Sequence, residues 1–170
     1  LADGPVTRAL GLKPYGPEHE TDMVARDLRL LKSTPGARYH LLHTSAKGSI
    51  ALVKEAKEQG LRVTAEVSPH HLYFSSDDIR EDETSFKMNP PIRSSEDREA
   101  LIDALASGAI DWVATDHAPH DRESKAKPFS EATFGTLGLE TMVPVVLDLV
   151  SRGRLSPTRY TLSLHDALPI

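Results

Sequence analysis

Three short runs rich in β-branched and aliphatic residues, 37–43 (ARYHLLH), 61–67 (LRVTAEV) and 110–115 (IDWVAT), are separated by stretches with helical spacing. Strand, helix, strand, helix in this order predicts parallel βαβ units, which pack right-handed with the helices covering the sheet. About three such units fit. The chain has 170 residues, whereas a closed (β/α)8 barrel typically needs about 250. The fold class expected is therefore α/β: part of a (β/α)8 TIM barrel, about its last three βα units, with a small doubly wound sheet as the competing architecture.

Local signals divide the chain further. Thr21 can cap a helix carrying Val24, Leu28 and Leu31 that ends before Pro35-Gly36, and Ser49 can cap another carrying Ile50, Val53 and Ala56 that stops at Gly60. Ser94 and Asp97 form a capping-box-like start to a helix with Leu101, Ile102 and Leu105, closed at Gly108. A last apolar helix is expected over residues 139–150, with Pro144 in its first turns or kinking it. Residues 73–93 make a long connection, a length that usually signals function or disorder. Pro90-Pro91 argues for order there.

Composition removes several function classes. The 20 Lys and Arg residues are interspersed among 25 Asp and Glu, for a net charge of -5, with no basic stripe to track phosphates. Nucleic acid is therefore not an expected partner. There is no cysteine, so metal ligands must come from His and carboxylates. The longest apolar runs, such as residues 143–147, fall far short of the roughly 20 residues that span a bilayer, and residues 1–16 lack a signal-peptide pattern. Cytoplasm is the default expectation. The chain does not begin with Met, and residues 160–170 (YTLSLHDALPI) look like a translated sequencing-library adapter. We expect an internal piece of a longer gene product, with 1–159 as barrel and 160–170 as a non-native tail.

The placement of polar residues separates the two architectures. His43, then Ser68-Pro69-His70-His71, then Asp116-His117-Ala118-Pro119-His120, each lie at the C-terminal end of an expected strand. In a parallel barrel that end is the active-site face. No glycine-rich phosphate loop follows any strand, so nucleotide binding loses its main support. A lone His or Asp at such a position more often serves structure than chemistry. Here they occur together.

At these residues a family appears. The runs ARYHLLHTS, VTAEVSPHHL, FKMNPPIR, IDWVATDHAPH and FGTLGLET resemble, in order and spacing, the last three βα units of a bacterial-type dihydroorotase of the amidohydrolase superfamily. Allantoinases and hydantoinases resemble the same scaffold but usually lack the Asn of KMNPP and the second His of SPHH. The resemblance implies that His43 binds one of two zinc ions through a neutral ring nitrogen. It implies that Asp116, 73 residues on, touches the metal and shuttles the catalytic proton. It also implies that Asn89 contacts the substrate ring, that His120 contacts the substrate carboxylate, and that Phe134-Gly135 offers backbone contacts to the ring. The implied reaction is reversible hydrolysis of dihydroorotate to N-carbamoyl-aspartate in pyrimidine synthesis, with a homodimer and aspartate transcarbamoylase as implied partners.

Zinc suits this chemistry because it polarises a carbonyl and lowers the pKa of bound water from about 15.7 to 7. Asp116 would act first as base and then as acid, and a nearby dication should keep it ionised. For His70-His71 the structural reading is preferred: one braces the loop and neither is assigned to metal. Arg93 is expected to neutralise a nearby carboxylate, and Trp112 to lie in the core. The family's HxH motif, bridging carboxylate and second strand histidine do not occur in these residues, so the 170-residue chain alone is expected neither to bind zinc tightly nor to turn over. A hydantoinase-type enzyme and a non-catalytic scaffold for aspartate transcarbamoylase are the alternatives, and retention of His43 and Asp116 counts against the scaffold.

Overall fold

A computed structural model describes residues 1–80 and 83–158; the expected tail at 160–170 lies outside the described residues. Strands β1 (Tyr39–Leu41), β2 (Val63–Val67) and β3 (Trp112–Val113) form one parallel sheet in that order. Tyr39 pairs with Val63 and Leu41 with Ala65, while Glu66 pairs with Trp112 and Val67 with Val113. The strands are shorter than the apolar runs. Single hydrogen bonds extend the pairing, from Thr44 N to Glu66 O at 2.9 Å and from Ala114 N to Val67 O at 3.0 Å.

The helices follow in the expected order, with corrected boundaries. After α1 (Pro5–Ala9), helix α2 (Glu18–Ser33) buries Val24, Leu28 and Leu31. It starts ahead of Thr21, whose hydroxyl donates to Glu18 O instead of capping. In α3 (Lys47–Glu58) Ser49 is an interior, buried residue and not the cap. The free N–H groups at this end are met from elsewhere: the Glu20 carboxylate accepts from Ser45 N and Ala46 N, and Asp97 accepts from Lys47 N. Tertiary acceptors thus did what a local hydroxyl was expected to do.

Helix α4 (Pro69–Tyr73) opens the long connection. This connection holds two 3-10 turns and its own apolar cluster of Ile79, Met88 and Ile92, with Phe74 and Phe86 packed against it. Helix α5 (Ser95–Ser107) matches its signals: Ser94 Oγ accepts from Asp97 N, and Gly108 closes the helix at φ 90°. A short α6 (Arg122–Lys125) and then α7 (Met142–Ser151) follow among the described residues. Pro144 lies in the first turn of α7, where its missing N–H has no intrahelical partner to lose. Residues from α2, α3, α5, α7 and the sheet share one core. All three strands run the same way, so their C-terminal ends gather at one face.

Candidate active site

Two residues at that face are strained. Among the described non-glycine residues, only His43 (φ 48°) and Asp116 (φ 46°) have positive φ. Each follows the end of an edge strand, β1 or β3, and such backbone costs on the order of 1–3 kcal/mol per residue. The turn brings the side chains together: His43 Nε2 lies 3.6 Å from Asp116 Oδ1. His70 joins them, its Nε2 3.7 Å from Asp116 Oδ2.

Their electrostatics differ. Burial pushes the Asp116 carboxyl above its usual range and Glu66 adds to that, while neighbouring His43 opposes it. The His70 imidazole is buried and pushed down to about 4, with His43 as the lesser cause, so it is neutral at pH 7. Its Nε2 is 2.8 Å from Ser68 Oγ, and its Nδ1 is buried with no partner.

Beneath this pair, on the middle strand, sits a buried carboxylate. Glu66 Oε2 accepts from Trp112 Nε1 at 3.0 Å and lies 3.1 Å from His40 Nε2; Oε1 lies 3.2 Å from His43 Nδ1. Trp112 is therefore not simply a core residue. It is half-buried, hydrogen-bonded, and stacked on His40 with ring centroids 4.9 Å apart. Sequence reasoning missed Glu66, although an acidic residue inside a β-branched strand was itself a signal, because buried carboxylates need partners.

The remaining expected residues flank this centre. His71 is the brace: buried, it takes Ser68 Oγ at 2.5 Å on Nδ1 and donates from Nε2 to Pro90 O at 3.1 Å. That bond holds the exposed Asn89 at its cis peptide bond to Pro90. Gly135 N donates to Lys87 O at 2.9 Å, and Phe134 lies 4.7 Å beneath the Lys87 ammonium. Phe134, Gly135 and the Asn89 segment are thereby tied together. His120 packs against Gly135, where a Cβ would come within 3.0 Å of its ring. His120, Gly135 and His70 line a cavity of about 880 Å³ that runs under α7 to Val145. Arg93 pairs with Glu20 at 3.6 Å and donates to Ser45 Oγ at 2.7 Å, the neutralising role expected of it. His117 was also missed as a brace: its Nδ1 accepts from Gly138 N and Leu139 N.

The donor set can be tested against a metal. His43 Nε2 and Asp116 Oδ1 are an imidazole and a carboxylate converging from different strands, the ligand types that zinc takes without cysteine. They fit such an ion in kind. Among the described residues no group of three or more His, Cys, Asp and Glu forms a metal-holding cluster, so the pair supplies only part of a first coordination shell.

No family model matches the sequence. Among curated relatives, the dihydroorotase of Bacillus licheniformis is 49% identical over 170 residues, covering 99% of this chain and 38% of that protein. The dihydroorotase of Anaplasma phagocytophilum is 47% identical over 156 residues, covering 92% and 35%. This chain belongs to the dihydroorotase family. It spans about a third of the length of the curated relatives it matches. Among solved structures, the L-hydantoinase (dihydropyrimidinase) of Arthrobacter aurescens superposes with a TM-score of 0.80 at 33% identity, over 87% of this chain and 34% of that one. The three-stranded parallel sheet is thus a section of the amidohydrolase TIM barrel, and the doubly wound alternative falls. Among the described residues no helix is long and apolar enough to cross a membrane.

Proposed function

We propose that this chain supplies one part of the active face of a metal-dependent dihydroorotase, which hydrolyses the cyclic amide of dihydroorotate to N-carbamoyl-aspartate and runs the reverse closure. One observation carries the reading. The two positive-φ non-glycine residues end separate strands and aim an imidazole and a carboxylate at one point. Strain of that kind persists where the surroundings enforce it, and it clusters at active sites.

His43 and Asp116 would hold the metal, with zinc as the ion the family resemblance implies. When bound, the metal supplies Lewis acidity for the amide carbonyl and makes water a usable nucleophile at neutral pH. Asp116 accepts the proton as the water oxygen bonds to the carbonyl carbon. It returns that proton to the ring nitrogen as the carbon–nitrogen bond breaks, so one carboxylate serves as base and then acid. His70, neutral at 3.7 Å from it and hydrogen-bonded to Ser68, does not compete for the proton. Asn89, His120 and the backbone of Phe134 and Gly135 hold the substrate. Pyrimidine synthesis, a cytoplasmic homodimer and aspartate transcarbamoylase as partner belong to the same reading and rest on the family.

The superposition on an L-hydantoinase favours a second reading, a hydantoinase-type cyclic amidohydrolase. Asn89 and His71 side with dihydroorotase. The whole protein, of the length its relatives have, should hydrolyse dihydroorotate at least 100-fold faster than hydantoin or allantoin, and Asp116→Asn should remove at least 99% of that rate. Preference for hydantoin would establish the second reading. Full activity in Asp116→Asn, or turnover by the 170-residue chain alone, would defeat the first.

A further inference from the structure

We propose that Glu66 is the positioning residue for His43: its carboxylate holds the imidazole in the tautomer protonated on Nδ1, which leaves Nε2 bare toward Asp116. This rests on the reading of His43 as a metal ligand only for its functional consequence, not for the tautomer itself.

The argument is one of donors and acceptors. An ionised carboxylate only accepts, and indole nitrogen only donates. Trp112 Nε1 therefore gives its proton to Glu66 Oε2. His40 lies with Nε2 3.1 Å from the same oxygen and Nδ1 2.8 Å from Thr64 Oγ1. The Thr64 hydroxyl can donate to Nδ1, so His40 carries its hydrogen on Nε2 and completes a chain from Thr64 through His40 to Glu66. Trp112, stacked on His40, keeps that ring in place. Both donors occupy Oε2. Oε1 is left facing His43 Nδ1 at 3.2 Å, and that nitrogen is buried with no aligned hydrogen-bond partner of its own. A small turn of the ring would align an Nδ1–H with Oε1. The Glu66 side chain is only 8% exposed and its ion-pair-range neighbours are histidines. Trp112 Nε1 and His40 Nε2 from the two flanking strands, with His43 Nδ1 as the third N–H, offset its burial. A ligating histidine whose far nitrogen donates to a carboxylate has its ring orientation and tautomer fixed.

A purely structural Glu66 would knit β1 to β3 through His40 and Trp112 without any bearing on His43. The two roles separate in Glu66→Gln. Its single carbonyl oxygen must serve Trp112 and His40, which turns the amide NH2 toward His43. His43 Nδ1 must then accept, and the proton moves to Nε2. The experiment uses metal-free whole protein with ¹⁵N-labelled histidine at pH 8. Long-range ¹H–¹⁵N correlations report each tautomer, and His43→Gln assigns the resonances. We expect Nδ1–H in the wild type, Nε2–H in Glu66→Gln, and a return to Nδ1–H in Glu66→Asp. Zinc affinity, titrated on the same samples, should fall about 10- to 100-fold in Glu66→Gln. A wild-type His43 protonated on Nε2 overturns the proposal even if every variant fails to fold, and so does an unchanged tautomer in folded Glu66→Gln. Inversion of the tautomer with zinc affinity unchanged would uphold the role of Glu66 and remove His43 from the metal's ligands.

Discussion

Gly138 is the position where one methyl group should do the most damage at the least conformational cost. A Cβ there would lie 1.7 Å from the carbonyl oxygen of Thr115 and 2.7 Å from its carbon. Carbon and oxygen tolerate an approach of about 3.3 Å, so the two backbones must part by roughly 1.5 Å. No side chain can swing away, because the obstacle is main chain. Nor is the loop free to retreat: Gly138 N is held by His117 Nδ1, Ala118 N by Thr136 O, and Gly135 N by Lys87 O. The displaced residue is the immediate neighbour of Asp116. Overpacking costs about 1–3 kcal/mol, and a 1 Å misplacement of a catalytic group costs on the order of 100-fold in rate. Gly138→Ala in the whole protein should therefore lower kcat/KM on dihydroorotate about 100-fold in the folded fraction. Gly153→Ala is the control: its φ is +69° and its Cβ meets nothing within 4 Å. It should lose about 1–2 kcal/mol of stability with activity intact. Gly138→Ala with kcat/KM within twofold of wild type would show that the loop does not set the position of Asp116.

Two further outcomes follow from the same geometry. His70 is neutral in the fold down to about pH 4 but titrates near 6.5 when unfolded, so its contribution is complete above pH 6.5 and is lost as pH falls through that window. The loss is roughly 3 kcal/mol; urea midpoints of His70→Gln should fall less steeply from pH 6.5 to 4, and parallel curves would refute this. Lys87 Nζ donates to Phe129 O at 2.5 Å and Ser130 O at 3.1 Å. Lys87→Met should speed proteolysis within residues 121–136 about tenfold and raise KM more than it lowers kcat, whereas an unchanged cleavage rate would show that Lys87 does not pin this segment.

What the sequence made legible was what repeats. The buried stripe of α2 and the Ser94 and Gly108 ends of α5 rest on contacts within a few residues, and they appear as expected. Ser49 misled because the N–H groups at the start of α3 are satisfied by Glu20 and Asp97, 25 to 50 residues away in the chain. Trp112 misled for a similar reason: its partner Glu66 lies 46 residues off. His43 and Asp116 were visible from their place after a strand, but their left-handed backbone was not. His70 was read as structural, and only the turn of α4 shows that it leans on Asp116 while His71 does the bracing.

At this mouth several local rules fail together, and their costs have one sign. Two non-glycine residues hold positive φ. Asp116 is raised by burial, so by linkage its ionised form opposes folding once pH exceeds its unfolded value. Glu66 and Asp116 place two carboxylates on either side of one imidazole, and His70 adds a buried, unpartnered Nδ1. A stability-optimised sheet end would carry none of these. A cation between His43 and Asp116 would reverse the electrostatic part, favouring ionised Asp116 and a bare His43 nitrogen together. The arrangement is therefore costly as a fold and favourable as a receptor for positive charge, which is the balance expected of a site rather than of a core.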